Sequence, residues 1–349
     1  MVGKSHRLIA GAIAGLLLAG LLWSTWLIVS AVAGGGGVTV SQALNSSLRL
    51  PMQDSINTWN AAWRYRFLGD LGSKVRLGCP QWLFYQDGLQ PAAGSVLAER
   101  LQLMRIWISQ IRQQGVQILV VAVPDKSRVE SAHLCGLSVS ESMRQKLDEW
   151  QAELKKDGVP FADLRPAMLQ ANEPLFFRTD AHMNAVGARI AAASVAEEAL
   201  VLLKGRSNQL FKFEEAEPLR PRMGDLIVLA GLENAPEKWR PKLDVVSEQP
   251  ISVVRGGGLL DDGPAAEVLL AGSSNGRRSY FAEHLGMALG REVWNISMDG
   301  GQFSGALQEA LKQKSSWPST LKLVIWEFSE LALSLPLTEA ERAALAARQ

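Results

Sequence analysis

The chain has 349 residues, 47% of them hydrophobic and 20% charged, the proportions of a packed globular protein and not of a disordered one. Thirty-six basic residues stand against 35 acidic ones, a net charge of +1, with no Lys/Arg-rich tail. That balance offers no electrostatic footprint for nucleic acid, and the length suits one large domain with some decoration.

The N-terminus carries the clearest physical signal. From Leu8 to Ala33 no residue is charged, and most are Leu, Ile, Ala, Val, Trp or Gly. As a helix this run would extend about 39 Å, more than the roughly 30 Å hydrocarbon core of a bilayer. Lys4 and Arg7 precede it, which predicts a cytoplasmic N-terminus and an exported remainder. The rival reading is a signal peptide cleaved near Ala33, since Ala31-Val32-Ala33 has the small-x-small pattern, but the apolar stretch exceeds the usual signal-peptide core. Residues 1–37 are therefore expected to form a membrane anchor ending in a glycine joint, Gly34 to Gly37, with the rest of the chain exported into an envelope compartment. In that oxidising compartment the two cysteines, Cys79 and Cys135, invite a disulfide closing a loop of just over fifty residues. The chain-entropy model gives such a bridge about 4 kcal/mol; the alternative is two buried thiols that never meet.

Residues 51–70 read as a helix, with Ile56, Trp59, Trp63 and Phe67 recurring on one face. A turn at Gly78-Cys79-Pro80 leads into a short strand through Trp82-Leu83-Phe84-Tyr85. A helix over 96–115 precedes Gln117–Val123, a continuous apolar run that predicts a central parallel strand covered on both faces. Helix 139–156, strand 159–163, helix 185–203, strand 267–271, helix 277–289, strand 292–297, helix 304–314 and strand 321–328 follow. The alternation predicts a three-layer α/β/α domain with a mostly parallel sheet over residues 38–335. Residues 205–265 break the rhythm and read as an insertion of short strands and loops, and 336–349 as a short charged C-terminal helix.

In open α/β sheets, ligands sit beyond the carboxyl ends of the strands. Two segments placed there carry chemistry. Gly272-Ser273-Ser274-Asn275-Gly276 follows an apolar strand directly, and a serine on such a turn exposes its hydroxyl while its amides face a developing oxyanion. The same residue types also cap ordinary helices. Asp180-Ala181-His182 holds the only one of four histidines with a carboxylate two residues away, the arrangement that orients a base toward a serine. The structural alternative is that Asp180 or Asn184 caps helix 185–203. Nothing has metal-ligand spacing, and Gly256-Gly257-Gly258 lacks the lysine and spacing of a phosphate cradle, so neither metal nor cofactor is expected.

Arg178-Thr179-Asp180-Ala181-His182, the helix with Gly187, and the Gly-x-Ser turn about ninety residues later resemble the periplasmic alginate O-acetyltransferase family. Trp82-Leu83-Phe84, Val123-Pro124-Asp125-Lys126, Asp299-Gly300-Gly301 and Trp326-Glu327 extend the resemblance over most of residues 50–330. It implies an SGNH-hydrolase-like domain with Ser274 as nucleophile, His182 as base and Asp180 orienting it; Ser273 is the competing nucleophile. It also places Gly300 and Gly301 at the same sheet edge, with amides lining the site, and Arg178 and Asn184 beside the dyad, binding substrate or fixing the loop. The implied partners are a secreted polysaccharide and a membrane-bound O-acyltransferase that supplies the acetyl group. Met183 departs from the aromatic residue common at that position, and no carbohydrate-binding module follows residue 330; Trp82, Trp239 and Trp294 remain candidates for sugar stacking. The same three residues would serve an acetylesterase, and a single-pass envelope scaffold without catalysis is the reading from a different class.

Overall fold

The computed structural model describes residues 4–33, 52–90, 96–255 and 266–347; the glycine joint at 34–37 and the triple glycine at 256–258 lie outside them. Lys4–Ala33 is a single helix, α1, and its described apolar side chains, among them Leu17, Leu21 and Val29, are exposed. Among the described residues no helix is long and apolar enough to cross a membrane. Several side chains of α1 are themselves outside the described residues.

The centre of the fold is a five-stranded, all-parallel sheet. Its spatial order is β10 (Val293–Asn295), β9 (Val268–Ala271), β11 (Leu323–Ser329), β3 (Gln117–Val123) and β4 (Phe161–Ala162). The two long strands β3 and β11 pair along all seven residues, Leu323 with Gln117 through Ser329 with Val123. They are apolar on both faces because helices cover both. On one side Leu119, Val121, Leu270 and Ile325 pack on the helices Ala185–Leu203 and Phe281–Leu289. On the other, Ile118, Val120, Leu269 and Trp326 pack on Val96–Arg112, Glu141–Lys156 and Gly305–Lys312. There Trp150, Phe303, Trp326 and Phe328 meet in mostly edge-to-face contacts, and the Trp326 indole N–H donates to the Phe303 carbonyl at 2.8 Å.

The hairpin β1 (Val75–Leu77) and β2 (Leu83–Tyr85) lies outside the main sheet, and Cys79 in its turn is joined to Cys135. The stretch after residue 205 forms two nested antiparallel ribbons. β5 (Leu210–Phe213) pairs with β8 (Ile251–Val254), and inside them β6 (Arg220–Arg222) pairs with β7 (Asp244–Val246). The short helix Asp225–Leu229 follows β6 directly, and its Leu226 and Ile227 pack with Ala62 and Leu83 in a third small core.

One boundary differs from the sequence expectation in a consequential way. The helix expected over 277–289 is broken: one turn, Ser274–Arg277, is separated from Phe281–Leu289 by Arg278, Ser279 and Tyr280, the last two at positive φ (54° and 57°). Two successive non-glycine residues in the left-handed region are unfavourable, on the order of 1–3 kcal/mol each. The break is held by the Ser279 hydroxyl donating to the Met183 carbonyl at 2.7 Å.

The C-terminal helix Glu339–Ala346 is tied to the sheet-covering layer by a fully buried ion pair, Arg100–Glu341 at 3.2 Å. Arg100 also donates to the Leu335 carbonyl and lies over the Phe303 ring, 4.6 Å from its centroid. Glu341→Ala leaves this guanidinium buried without its charge partner and should cost about 3–5 kcal/mol in urea unfolding, whereas Arg100→Met/Glu341→Leu together should recover most of it.

Candidate active site

The carboxyl ends of β9, β11 and β3 meet at one edge, and each delivers a polar segment. β9 runs into Gly272-Ser273-Ser274. The register places Trp326 opposite Ala271, so the next residue, Glu327, stands beside Gly272. A Cβ on Gly272 would come within 2.8 Å of a Glu327 oxygen, and one on Gly276 within 2.9 Å. The two glycines therefore leave room for the Glu327 carboxyl and for the Ser297 side chain, whose hydroxyl such a Cβ would meet at 2.4 and 2.6 Å. From there it accepts the Ser273 N–H (2.7 Å), the Gly276 N–H (3.1 Å) and the Ser273 hydroxyl (2.9 Å). Burial pushes Glu327 up to about 7, against the pull of these hydrogen bonds. Ser273 also accepts the Asn275 N–H, so its hydroxyl is spent on the turn.

Ser274 is differently placed. Its Oγ lies 2.7 Å from His182 Nε2, and His182 Nδ1 lies 2.5 Å from Asp180 Oδ1. We assign the Nδ1–H tautomer, donating to Asp180, which leaves Nε2 as the acceptor for the serine hydroxyl. The Ser274 amide has no partner among the described hydrogen bonds and is available to an oxyanion. The structure thus brings Ser274, His182 and Asp180, separated by up to 94 residues of sequence, into one hydrogen-bonded line (274 − 180).

Asp180 is 1% exposed and its two oxygens are filled. Oδ1 accepts His182 Nδ1–H and the His182 backbone N–H at 3.0 Å; Oδ2 accepts the Arg222 guanidinium at 2.5 Å and the Asp225 N–H at 3.3 Å. Burial alone would raise its pKa, but the His182 hydrogen bond and charge, the Asp225 hydrogen bond and the Arg222 charge outweigh it and hold the carboxyl far below the usual range. The loop itself is pinned from outside. Lys126 Nζ donates to three carbonyls, those of Leu83 (2.7 Å), Asp180 (2.9 Å) and Arg178 (3.0 Å). Burial pulls Lys126 down to about 7, yet three acceptors call for the three N–H bonds of an ammonium. Asp244 accepts the Thr179 amide (3.0 Å) and hydroxyl (2.5 Å).

A second carboxylate faces the histidine. Asp225 accepts the Ala181 N–H at 2.8 Å, and its other oxygen lies 3.4 Å from His182 Nδ1. Partial burial and the Asp180 charge push Asp225 up to about 6. Arg278, extended at the helix break, approaches Nδ1 to 3.0 Å and pairs with Asp299 at 3.2 Å. Asp180, His182 and Asp225 also offer ligand atoms within 4.8 Å of one another, but the Nδ1 hydrogen bond and the Arg222 pair engage the atoms a cation would need.

The other residues singled out in the sequence lie around this line. Asn184 caps its helix, accepting the Gly187 N–H at 2.9 Å and donating to the Pro174 carbonyl, and it also lines the groove beside the site. Arg178 donates to the carbonyls of Gln81 and Lys242 and faces the groove beside the site. The Gly301 amide donates to the Met298 carbonyl at 3.2 Å and closes its own turn, so it does not line the serine; Gly300, at φ 72°, shapes the same turn. That turn does sit at the expected edge, with Met298 N–H on the Gly272 carbonyl. Met183 is buried in the core. None of the three candidate tryptophans lines the groove. Trp82 is buried and stacks on His133, Trp239 packs with Trp59 and Phe67, and Trp294 packs against the sheet.

A groove of about 960 Å³ runs alongside, walled by Arg178, Asp244, Val246, Arg278 and Tyr280 among others. Ser274 and His182 are not in its wall; it borders them through Arg178, Arg222 and Arg278.

A parallel sheet sandwiched by helices, with a serine–histidine–aspartate line at its carboxyl edge, defines an SGNH-hydrolase-like protein. Residues 75–330 match the family model of the SGNH hydrolase-like domain, acetyltransferase AlgX, and the chain belongs to this acyltransferase family. It is similar to the probable alginate O-acetylase AlgJ of Pseudomonas putida, 30% identical over 80% of this chain and 75% of that one. The solved O-acetyltransferase domain of Pseudomonas putida AlgJ superposes with a TM-score of 0.67 at 26% identity, covering 79% of this chain and 99% of that domain. Pseudomonas aeruginosa AlgX, at 21% identity and a TM-score of 0.59 over 76% of this chain and 66% of that one, shares the fold.

Two outcomes follow from these contacts. Glu327→Gln keeps an acceptor for the turn amides and a donor for Ser273, and should turn over a chromogenic acetyl ester within about tenfold of wild type. Glu327→Ala strips three hydrogen bonds from the serine turn and should lose about 100-fold or more, with a loss of roughly 2–3 kcal/mol in stability. The second outcome concerns pH. Asp225 is neutral below about 6 and negative above it. A negative charge beside Nδ1 favours the imidazolium that forms when Nε2 takes a proton. Ester turnover should therefore rise with pH through about 6, and Asp225→Asn should remove that component of the rise.

Proposed function

We propose that the chain transfers an acetyl group to a hydroxyl of a secreted polysaccharide through an acyl-enzyme on Ser274. The observation that supports this most is the unbroken Ser274–His182–Asp180 hydrogen-bond line beside a groove large enough for a glycan segment. In the first half-reaction His182 Nε2 accepts the Ser274 proton as Oγ attacks the acetyl carbonyl. Asp180 steadies the imidazolium through Nδ1, and the Ser274 amide donates to the oxyanion. Collapse breaks the bond to the donor's leaving group, which takes the proton from His182. In the second half-reaction a sugar hydroxyl gives its proton to Nε2 and attacks the acyl carbon; the bond to Ser274 Oγ then breaks as Oγ takes that proton from Nε2. If water replaces the sugar, the same steps make an acetylesterase.

The alginate O-acetylase relatives support an alginate-type exopolysaccharide as acceptor and an alginate-assembly setting. The acetyl donor in this reading is a membrane-bound O-acyltransferase. The chain is anchored in the inner membrane by residues 1–37, with its SGNH-like domain, 38–335, in the periplasm. Supporting the anchor are the uncharged run Leu8–Ala33 and the exposed apolar side chains of α1. The Cys79–Cys135 bridge suits an oxidising compartment.

The test uses the full chain in detergent with an acetyl ester donor and a glycan oligomer, reading acetylated oligomer by mass spectrometry. Acetylated sugar should form and fall by about 10⁴-fold or more in Ser274→Ala, and by roughly 10³- to 10⁴-fold in Asp180→Asn. Ester cleavage without sugar product would make the protein an esterase. The absence of any Ser274-dependent product from a folded chain would leave the scaffold reading.

A further inference from the structure

The helix α2, Gln53–Leu68, carries the aromatic face that its sequence announced, but that face is not core. Ile56, Trp59, Trp63 and Phe67 are 49%, 53%, 51% and 60% exposed. At 100° per residue the four fall within an arc of about 80°. The opposite face carries Ala61, Ala62 and Tyr65, which pack on Leu226, Ile227 and Leu232. The helix is thus amphipathic in the usual sense on the inside and carries a second apolar stripe on the outside. Four large apolar side chains in one exposed row call for a partner.

The rings indicate what that partner is. Trp59 meets Trp239 at 80°, Phe67 meets Trp239 at 71°, and Trp63 meets Phe67 at 44°. Rings so inclined to one another do not form the flat platform on which sugar rings stack, and Ile56 offers no ring at all. They form a wedge of edges and corners that suits the disordered boundary between lipid headgroups and acyl chains, where indoles reside. The chain path agrees. Only residues 34–52 separate the end of α1 from the start of α2. At no more than about 3.5 Å per residue they keep α2 within roughly 65 Å of wherever α1 ends. The charges beside the stripe nearly cancel, since exposed Arg66 and Lys238 are offset by exposed Asp54 and Glu237. Attachment through this face is therefore apolar in character and should resist salt.

We infer that α2 is an interfacial helix that seats the domain on the lipid surface through Ile56, Trp59, Trp63 and Phe67. This rests on the anchored reading above, and it adds an orientation. The inward face of α2 packs on Leu226 and Ile227, the residues directly after Asp225. The lipid surface then lies about one helix thickness, ~10 Å, from the segment that supports His182. A donor delivered at the membrane would meet the site at that level.

The experiment uses the full chain, with a protease site introduced between residues 38 and 50, reconstituted in vesicles of phosphatidylethanolamine and phosphatidylglycerol. An alkaline wash of the uncleaved chain scores the anchor alone, since an unanchored chain is stripped whatever α2 does. Cleavage at neutral pH then scores α2 alone. The released wild-type domain should float with the vesicles at low and high salt, and brominated acyl chains should quench its tryptophan emission. Ile56→Ser/Trp63→Ser, checked for an unchanged thermal unfolding midpoint, should lower the vesicle-bound fraction at least tenfold, and Trp63→Phe should restore it. The inference is overturned if the released wild-type domain stays in solution without quenching. It is equally overturned if the double variant floats like wild type, or if Trp63→Ser weakens binding to a soluble glycan while vesicle binding is unchanged.

Discussion

Asp180 is a charge taken out of water, and a buried carboxylate is tolerated only when donors fill its oxygens. Four donors do so here, and each fixes a different part of the molecule. The His182 ring is oriented by one and the His182 backbone by another. Arg222 brings the β6–β7 ribbon against the loop, and the Asp225 amide brings the start of its helix. Removing the ribbon would leave Asp180 half-satisfied, so the irregular stretch after residue 205 is part of the site and not an ornament on the sheet.

Glu327 makes the contrast instructive. It is as buried as Asp180 and also accepts hydrogen bonds, yet its pKa moves up to about 7 while that of Asp180 moves down. The difference is the company each keeps. Asp180 faces a guanidinium and an imidazole directly, whereas Glu327 faces two amides and a hydroxyl, which carry dipoles and no net charge. At Glu327 these hydrogen bonds do not offset the desolvation of the carboxyl. A carboxyl pushed up to about 7 suits a structural post under the serine turn, and a locked anion suits a partner for the proposed base.

The legible parts of the sequence were those whose evidence is local. The apolar run Gln117–Val123 reads as a covered strand, and Asp180-x-His182 and Gly272-x-Ser274 each fit within five residues, though helix caps use the same residue types. Arg222, Asp225, Asp244 and Arg278 left no such signal. Their meaning depends on a ribbon folding back over a loop some forty to ninety residues away, or on a helix breaking where helical periodicity ran on. The α2 stripe shows a different limit. Periodicity fixed which residues share a face, but a face that is apolar on the inside and one that is apolar on the outside look alike until the partner element is known. Gly272 and Gly276, which make room for the Glu327 carboxyl and the Ser297 side chain, likewise gave no local sign of those distant neighbours.

Placing the proposed acid partner and base in one loop has a mechanical consequence. The Asp180–His182 geometry is set largely within three residues, through a side-chain bond and a backbone bond to the same oxygen. Errors in packing between sheet and helices therefore move the pair as a unit and do not spoil their alignment. Only one contact of the line, His182 Nε2 to Ser274 Oγ, depends on the accuracy of the whole fold. That contact is braced from both ends. The Met183 amide donates to the Asn275 side chain, and Ser279 donates to the Met183 carbonyl, so the residue after the histidine is stitched on both sides to the segment that carries the serine. The left-handed residues at 279 and 280, unfavourable in isolation, are what allow that second stitch. Their conformational cost is thus tied to the one distance in the site that local sequence cannot guarantee.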